Sequence, residues 1–508
     1  MLVFDTTSLL AGIALLIALT MPRLSKGFIP KVTASIYVTA LVLHLLLEGP
    51  RWQMVAAYIV GASLSAAVFI FPSFSLKFKG QQYARLKRWS SVSFFSFSIA
   101  MSVFASALFP MFELPQPSGA YAIGFSELHM IDQTRNEAKT DEPNDFREFM
   151  VKVWYPAEAH DVDDPQPYWP NADTISTHFV KELGPLAPGF LFSHLDQIPS
   201  HSYPEANLAP ASEPYPVLIF SHGLGVFAEQ STVLMEELAS HGYVVFSINH
   251  TYWSMLSTFP NGRVTSFRSD SSPALEAESN HPEAMTIMEK ALASSKTKEI
   301  KDLMSQMAEM APLTIQSEIN SLNTLSQDHM FVMDELEKLN TSHGLFKDRL
   351  DLSRIGLLGF SLGGKTTIQT CARDDRCKAG VNIDGFSLVS PNEKPHQQPF
   401  MHMRNDRNPF VSVVYEAAEG PSYSVHIRGT EHPNYTDFSI VAPWLFKQVG
   451  LLGEIDGYRM LELQNIYIRS FFDKHLKGEA SLPLKDTIAS YPEVMFLTRN
   501  ENSKKYFE

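Results

Sequence analysis

Ile355-Gly-Leu-Leu-Gly359-Phe-Ser361-Leu-Gly363-Gly-Lys365 reads as a buried strand, a sharp turn and the first turn of a helix. A short, wholly apolar run is what a parallel strand covered on both faces requires. Glycines at 359 and 363 leave room for a turn tight enough to lift the Ser361 hydroxyl above the sheet edge, and the helix N-terminus favours negative charge there. A bare Gly-x-Ser-x-Gly is common by chance; its place between strand and helix is what makes it informative. Ser361 is therefore the candidate nucleophile.

The alternation of strand and helix extends on both sides. Phe149–Tyr155 alternates like a strand and stops at Pro156, Val217–Phe220 and Tyr243–Ile248 are buried runs, and Ser231–Ser240 has helical spacing. After the serine turn come a helix over Gly364–Ala372 and strands over Gly380–Ile383, Phe400–Met403 and, as the last, Tyr423–Ile427. This succession predicts an α/β fold with a mostly parallel central sheet and helices on both faces. A helical insertion spans about 271–345, with Met285, Met288, Met304, Met307 and Met310. Those methionines fit either a mobile lid or a helical face packed against the sheet.

A serine hydroxyl is a weak nucleophile and needs a base in hydrogen-bond reach, and in this architecture acid and histidine follow the serine in the chain. His432, in Gly429-Thr-Glu-His432-Pro just past a strand, is placed to swing back over the sheet edge. His396, His402, His426 and His475 read as loop, packed or surface residues. Asp384 and Asp406 each end a strand and stay open as the acid, though Arg404 and Arg407 also make Asp406 fit a surface ion-pair cluster. An oxyanion needs two backbone N–H donors. Leu362 supplies one; the loop His222-Gly-Leu224-Gly225 after Val217–Ser221 supplies Leu224 as the other, with His222 a structural hydrogen-bonder.

At these residues the chain resembles the plasma, lipoprotein-associated type of platelet-activating factor acetylhydrolase. The matching stretches are Pro216–Gly225 with Leu238–Gly242, Ile355–Gln369, Gly380–Asp384, and Ile427–His432 with Asp437-Phe438. The resemblance implies an α/β-hydrolase fold and a calcium-independent carboxylic ester hydrolase acting on lipid or short-acyl esters without cofactor or metal. It implies Ser361, Asp384 and His432 as nucleophile, acid and base, and Leu224 and Leu362 as oxyanion donors. Three features depart from it: the segment before Pro115, the insertion, and Lys365 where a small residue is usual. Polyester or xenobiotic esters, an acyl-transferase variant of the chemistry, and a non-catalytic membrane sensor are the rival readings.

Bulk properties bound the rest. A chain of 508 residues calls for two or three structural units, and a formal net charge of −14 argues against nucleic acid as a partner. Two cysteines, Cys371 and Cys377, exclude a disulfide scaffold, and they fit a single pair as well as free thiols. No His-Glu-x-x-His or other metal-type cluster occurs in the sequence. Charge is uneven: the first 113 residues hold nine of the 41 basic and three of the 55 acidic residues.

Apolar stretches at about 9–21, 32–47, 52–71 and 92–112 predict a four-helix transmembrane unit over 1–115, ahead of a catalytic domain over 116–508. Arg23, Lys26 and Lys31 in the first loop, and Lys77, Lys79, Arg85, Lys87 and Arg88 in the third, place those loops in the cytoplasm. The catalytic domain is then expected on the other side, periplasmic or extracellular. His44, alone among titratable groups inside a span, reads as a packed, hydrogen-bonded histidine near a helix end.

Overall fold

The computed structural model describes residues 3–21, 24, 28–71, 84–142, 145–158, 164–183, 187–268, 282–310, 312–385, 396–479 and 491–499, with the side chains of 84–88 and 181–183 excepted. Arg23, Lys26, Lys77 and Lys79, on which the orientation rests, lie outside them, as do 271–281 and 311 of the insertion. The chain divides into two compact units: Met1–Glu113 with Pro167–Ile198, and Leu114–Gln166 with Pro199–Glu508.

The first unit holds helices α1 (Val3–Thr20), α2 (Ile29–Leu47), α3 (Val55–Ile70) and α4 (Ala84–Leu108). Leu15, Leu19, Ala34, Ala57, Val60 and Leu64 pack together inside, while Leu10, Ile36, Leu46, Ile59 and Phe97 stand exposed outside. Among the described residues, Val3–Thr20, Ile29–Leu47, Trp52–Ile70 and Trp89–Leu108 are long and apolar enough to cross a membrane. Pro167–Ile198, with helix α5 (Ala172–Leu183), lies beyond residue 115 in the chain and clusters with these helices. Aromatic packing explains it: Phe190 meets Trp52, and Phe192 meets Phe109.

Polar side chains gather at one end of α1 and α2. His44 Nδ1 lies 2.9 Å from Glu48 Oε2 and 3.5 Å from Asp5 Oδ1, its Nε2 bonds Tyr58, and Arg51 pairs with Asp5. Asp5, His44 and Glu48 are metal-ligand types that the sequence held too far apart to show as a cluster. With the Arg51 guanidinium already neutralising Asp5, they form an ion-pair network, and His44 is buried and hydrogen-bonded within it.

The second unit is built on a ten-stranded sheet ordered β12-β11-β10-β9-β8-β4-β5-β2-β1-β3. Its strands are β1 (Ala122–Asn136), β2 (Phe146–Ala157), β3 (Ser202–Pro204), β4 (Tyr215–Ser221), β5 (Val244–Asn249), β8 (Leu350–Phe360), β9 (Cys377–Ile383), β10 (Phe400–Arg404), β11 (Ser422–Ile427) and β12 (Val494–Arg499). β6 (Leu256–Thr258) and β7 (Val264–Ser266) make a separate ribbon. The six strands from β5 to β11 in the sheet run parallel, with β2 and β12 antiparallel at their flanks. β11 is therefore not the last strand; β12 is moderately exposed and lacks the buried run that marks the inner strands.

Side chains of the central strands alternate between two buried layers, as a period of two demands. Leu218, Phe220, Leu358 and Val381 face one core, under α6 (Thr232–Ser240) and the late helix Gly457–Phe472. Val217, Ile219, Ile355 and Leu357 face the other, with Val332, Met333 and Leu336. The insertion forms α7 (Pro282–Ala293), α8 (Thr297–Met310) and α9 (Pro312–Ser342), followed after β8 by α10 (Leu362–Arg373). Met304 is buried against Phe410 and Val413 and Met307 against Ala284, so these two methionines belong to a packed face. Cys371 and Cys377 form a disulfide.

Register sets up the site. Ser221 pairs with Gly359, Phe360 with Ile383, and Arg404 with His426, so the carboxyl ends of β4, β8, β9, β10 and β11 lie side by side. Each sequence-selected residue follows one of those ends.

Candidate active site

Ser361 has φ 53° and ψ −113°, a left-handed backbone that a non-glycine residue adopts only under constraint from its surroundings. The constraint is visible in two places. The Ser361 N–H donates to Ile383 O at 2.9 Å, tying the turn to β9. A Cβ on Gly363 would sit 2.0 Å from Ser221 O, so only glycine lets α10 come this close to β4. Leu362 is the first residue of α10, where backbone N–H groups have no partner within the helix.

Asp384, fully buried and also at positive φ, directly follows β9. Its Oδ2 lies 2.6 Å from His432 Nδ1. The remaining capacity of the carboxylate is filled by Asn405 N–H on Oδ1 (3.0 Å), Asn405 Nδ2 on Oδ2 (2.8 Å) and Asn408 Nδ2 on Oδ1 (3.0 Å). A buried charge with every lone pair engaged avoids the penalty of an unsatisfied one. The His432 ring stacks on Phe360, centroids 4.6 Å apart, and its side chain is 42% exposed, open to solvent and substrate.

Asp406 spends its oxygens elsewhere. Oδ1 meets His426 Nε2 and Oδ2 accepts the Gly429 N–H, each at 2.7 Å. Its ion-pair partner is thus His426, not the flanking arginines, and Arg407 pairs with Glu431 instead. His402 and His396 are buried against Phe400, and His475 bonds the Tyr423 hydroxyl. Lys365 reaches Glu318 on α9 at 3.0 Å, which binds the insertion to α10.

In the loop after β4, the Gly223 N–H donates to Gln230 Oε1 (2.8 Å) and the Gly225 N–H to Trp253 O (2.9 Å). The Leu224 N–H between them makes no hydrogen bond among the described residues. Leu224 and Leu362 share one apolar cluster with Trp253, Leu322 and Leu325, the last two from α9.

Beneath this loop lies a buried polar network that spacing did not reveal. Ser221 Oγ is 2.6 Å from His250 Nε2 and 2.7 Å from His329 Nε2, and His250 Nδ1 is 2.8 Å from Asp328 Oδ2. Arg147 closes on Asp328 at 2.6 Å and on Glu137 at 2.8 Å. Ser221, His250 and Asp328 repeat a serine-histidine-aspartate order, but all are fully buried, which bars substrate from them. Against the cost of burial, the Arg147 charge holds Asp328 well below the usual carboxylate range. Burial pushes His222 and His329 down to about 3.

Those two imidazoles predict acid sensitivity. Between pH 6.5 and 3 the unfolded chain binds protons that the folded chain does not, so stability falls as pH falls. The loss is about 1.4 kcal/mol per pH unit for each imidazole. The melting temperature of the purified protein should drop between pH 7 and pH 5; a flat profile would contradict the buried neutral state.

The family profile of platelet-activating factor acetylhydrolase, isoform II, matches residues 106–487. The chain belongs to this family. As a member of the platelet-activating factor acetylhydrolase family it is a carboxylic ester hydrolase. The platelet-activating factor acetylhydrolase of Bos taurus is 24% identical over 393 residues, covering 74% of this chain and 80% of that protein. A probable 1-alkyl-2-acetylglycerophosphocholine esterase of Arthroderma benhamiae is 21% identical over 434 residues, 79% of this chain and 97% of that one. Among solved structures, a ferulic acid esterase from Streptomyces cinnamoneus superposes with a TM-score of 0.57 at 23% identity, over 76% of this chain and 99% of its own. That likeness shows a shared fold. The family match begins at the end of α4, so the four apolar helices lie almost wholly outside it.

Proposed function

We propose that this acetylhydrolase-family member is a membrane-anchored serine esterase of lipid or short-acyl esters, with Ser361, His432 and Asp384 as its triad. The observation that carries the reading is the 2.6 Å bond between His432 Nδ1 and Asp384, beside the strained turn that presents Ser361. His432 Nε2 takes the Ser361 proton as Oγ attacks the ester carbonyl carbon, and Asp384 stabilises the imidazolium. The Leu224 and Leu362 N–H groups receive the oxyanion. The ester C–O bond breaks, the alcohol leaves with the proton from His432, and a water activated by His432 releases the acid.

α1 to α4 anchor the enzyme, and the basic first and third loops keep the esterase domain outside the cytoplasm. The Cys371–Cys377 disulfide supports that side, since such bonds persist in oxidising compartments. The test is to treat the detergent-solubilised protein with a fluorophosphonate and map the label, then compare acetyl phospholipid with bulky aryl esters. Label on the Ser361 peptide with faster cleavage of the acetyl phospholipid is expected. No label would revive a non-catalytic sensor, and an aryl preference would move the assignment to a polyester or xenobiotic esterase.

A further inference from the structure

We propose that His222 is a positioning residue for the oxyanion site, locking the Gly223–Leu224 peptide plane so that the Leu224 N–H faces the reacting carbonyl. This inference rests on the triad and oxyanion reading above.

The geometry starts from the tautomer. His222 Nε2 accepts the backbone N–H of His250 at 3.0 Å, so that nitrogen carries no proton. The proton sits on Nδ1, which donates to Gly223 O at 2.6 Å. Described peptide bonds are trans, and in a trans peptide the carbonyl and the next N–H point in opposite directions. Holding Gly223 O on one side therefore aims the Leu224 N–H to the other. A flip of this one peptide would exchange a donor for a carbonyl oxygen, which repels a developing negative charge. Glycine at 223 removes the Cβ restraint on one side of that peptide, and among the described residues Gly223 O has one further bond, from Val226 N–H at 3.4 Å.

The rest of the buried network serves the same end. The His250 N–H can hold His222 only while His250 stays in place, and its ring is fixed by Asp328 and Ser221. Asp328 belongs to α9, so the insertion reaches the oxyanion loop through a chain of hydrogen bonds: Asp328 to the His250 ring, the His250 backbone N–H to His222, and His222 to Gly223 O. Burial keeps His222 neutral throughout the range in which an esterase works, preserving its acceptor and its donor together.

Two substitutions separate the roles of the two ring nitrogens. In His222→Asn the amide nitrogen takes the place of Nδ1 and keeps the donor to Gly223 O. In His222→Gln the amide lies nearer Nε2 and loses it. Turnover is measured on the solubilised full chain per active site titrated to completion with fluorophosphonate, so misfolded protein does not count. His222→Gln should lose about a hundredfold in kcat, the scale of one oxyanion donor. Its KM should change less than threefold, and Ki for a trifluoromethyl ketone should rise by the same factor as kcat falls. His222→Asn should stay within about tenfold of the parent in kcat. Equal losses in the two variants, or a loss under threefold in His222→Gln, would overturn the proposal. Ser361→Ala measured alongside separates the two failures: retained turnover there refutes the triad itself, whatever the His222 variants do.

Discussion

Ser361→Ala is expected to lower turnover of a short p-nitrophenyl ester about a millionfold, with KM nearly unchanged. Removing a serine nucleophile removes the covalent route entirely, and what remains is catalysis by the oxyanion donors and by binding. In the proposed site those groups are the backbone amides of Leu224 and Leu362, which the substitution leaves in place. The same position yields a second reading. Ser361 holds φ 53° and ψ −113°, a backbone that costs on the order of 1–3 kcal/mol for any residue bearing a Cβ. Alanine keeps that cost and glycine sheds it. Ser361→Gly should therefore be as inactive as Ser361→Ala yet melt at a higher temperature, by about 1 kcal/mol of stability. Substantial turnover in either variant would remove Ser361 from the chemistry. Equal melting temperatures would show that the turn is not strained.

The central strands could be read because each is a buried run closed by a turn residue. Val217–Phe220, Tyr243–Ile248 and Gly380–Ile383 lie within a residue or two of β4 and β5 and inside β9. The flanks were less readable. β12 carries an apolar run, Val494–Leu497, but four of its six residues are only partly buried, and β1 is a fifteen-residue strand with charged and polar residues along its length. Site residues that follow strand ends could be found by that rule, and family resemblance chose Asp384 over Asp406. Asn405 and Asn408, which hold Asp384, could not be found, because asparagine after a strand also reads as a turn. His250 and Asp328 stand 78 positions apart and meet only because β5 and α9 are brought together. A contact of that kind leaves no local pattern. The same holds for Pro167–Ile198, which follows β1 and β2 in the chain yet packs Phe190 on Trp52 and Phe192 on Phe109.

Asp384→Asn should cost about 10⁴-fold in kcat/KM, while Asp406→Asn should cost no more than a few-fold. The hydrogen bonds dictate which way the new amide faces. Oδ1 accepts a backbone N–H, from Asn405, and that donor cannot turn round to become an acceptor. An oxygen must therefore stay at Oδ1, and the new NH₂ falls at Oδ2, facing His432 Nδ1. It also faces Asn405 Nδ2, whose amide is held in its present sense by the Arg407 N–H on Asn405 Oδ1, so that hydrogen bond is lost as well. His432 cannot rotate its way out: its Nδ1 must accept, so its proton moves to Nε2, the nitrogen that in the proposed triad receives the Ser361 proton. The base is blocked by its tautomer although no side chain has moved. Asp406, half exposed and bonded to His426 and Gly429, steadies the turn leading toward His432 without touching its ring. A greater loss in Asp406→Asn than in Asp384→Asn would transfer the acid's role to Asp406. Melting curves that match the parent's in both variants would confirm that the difference is one of chemistry, not of folding.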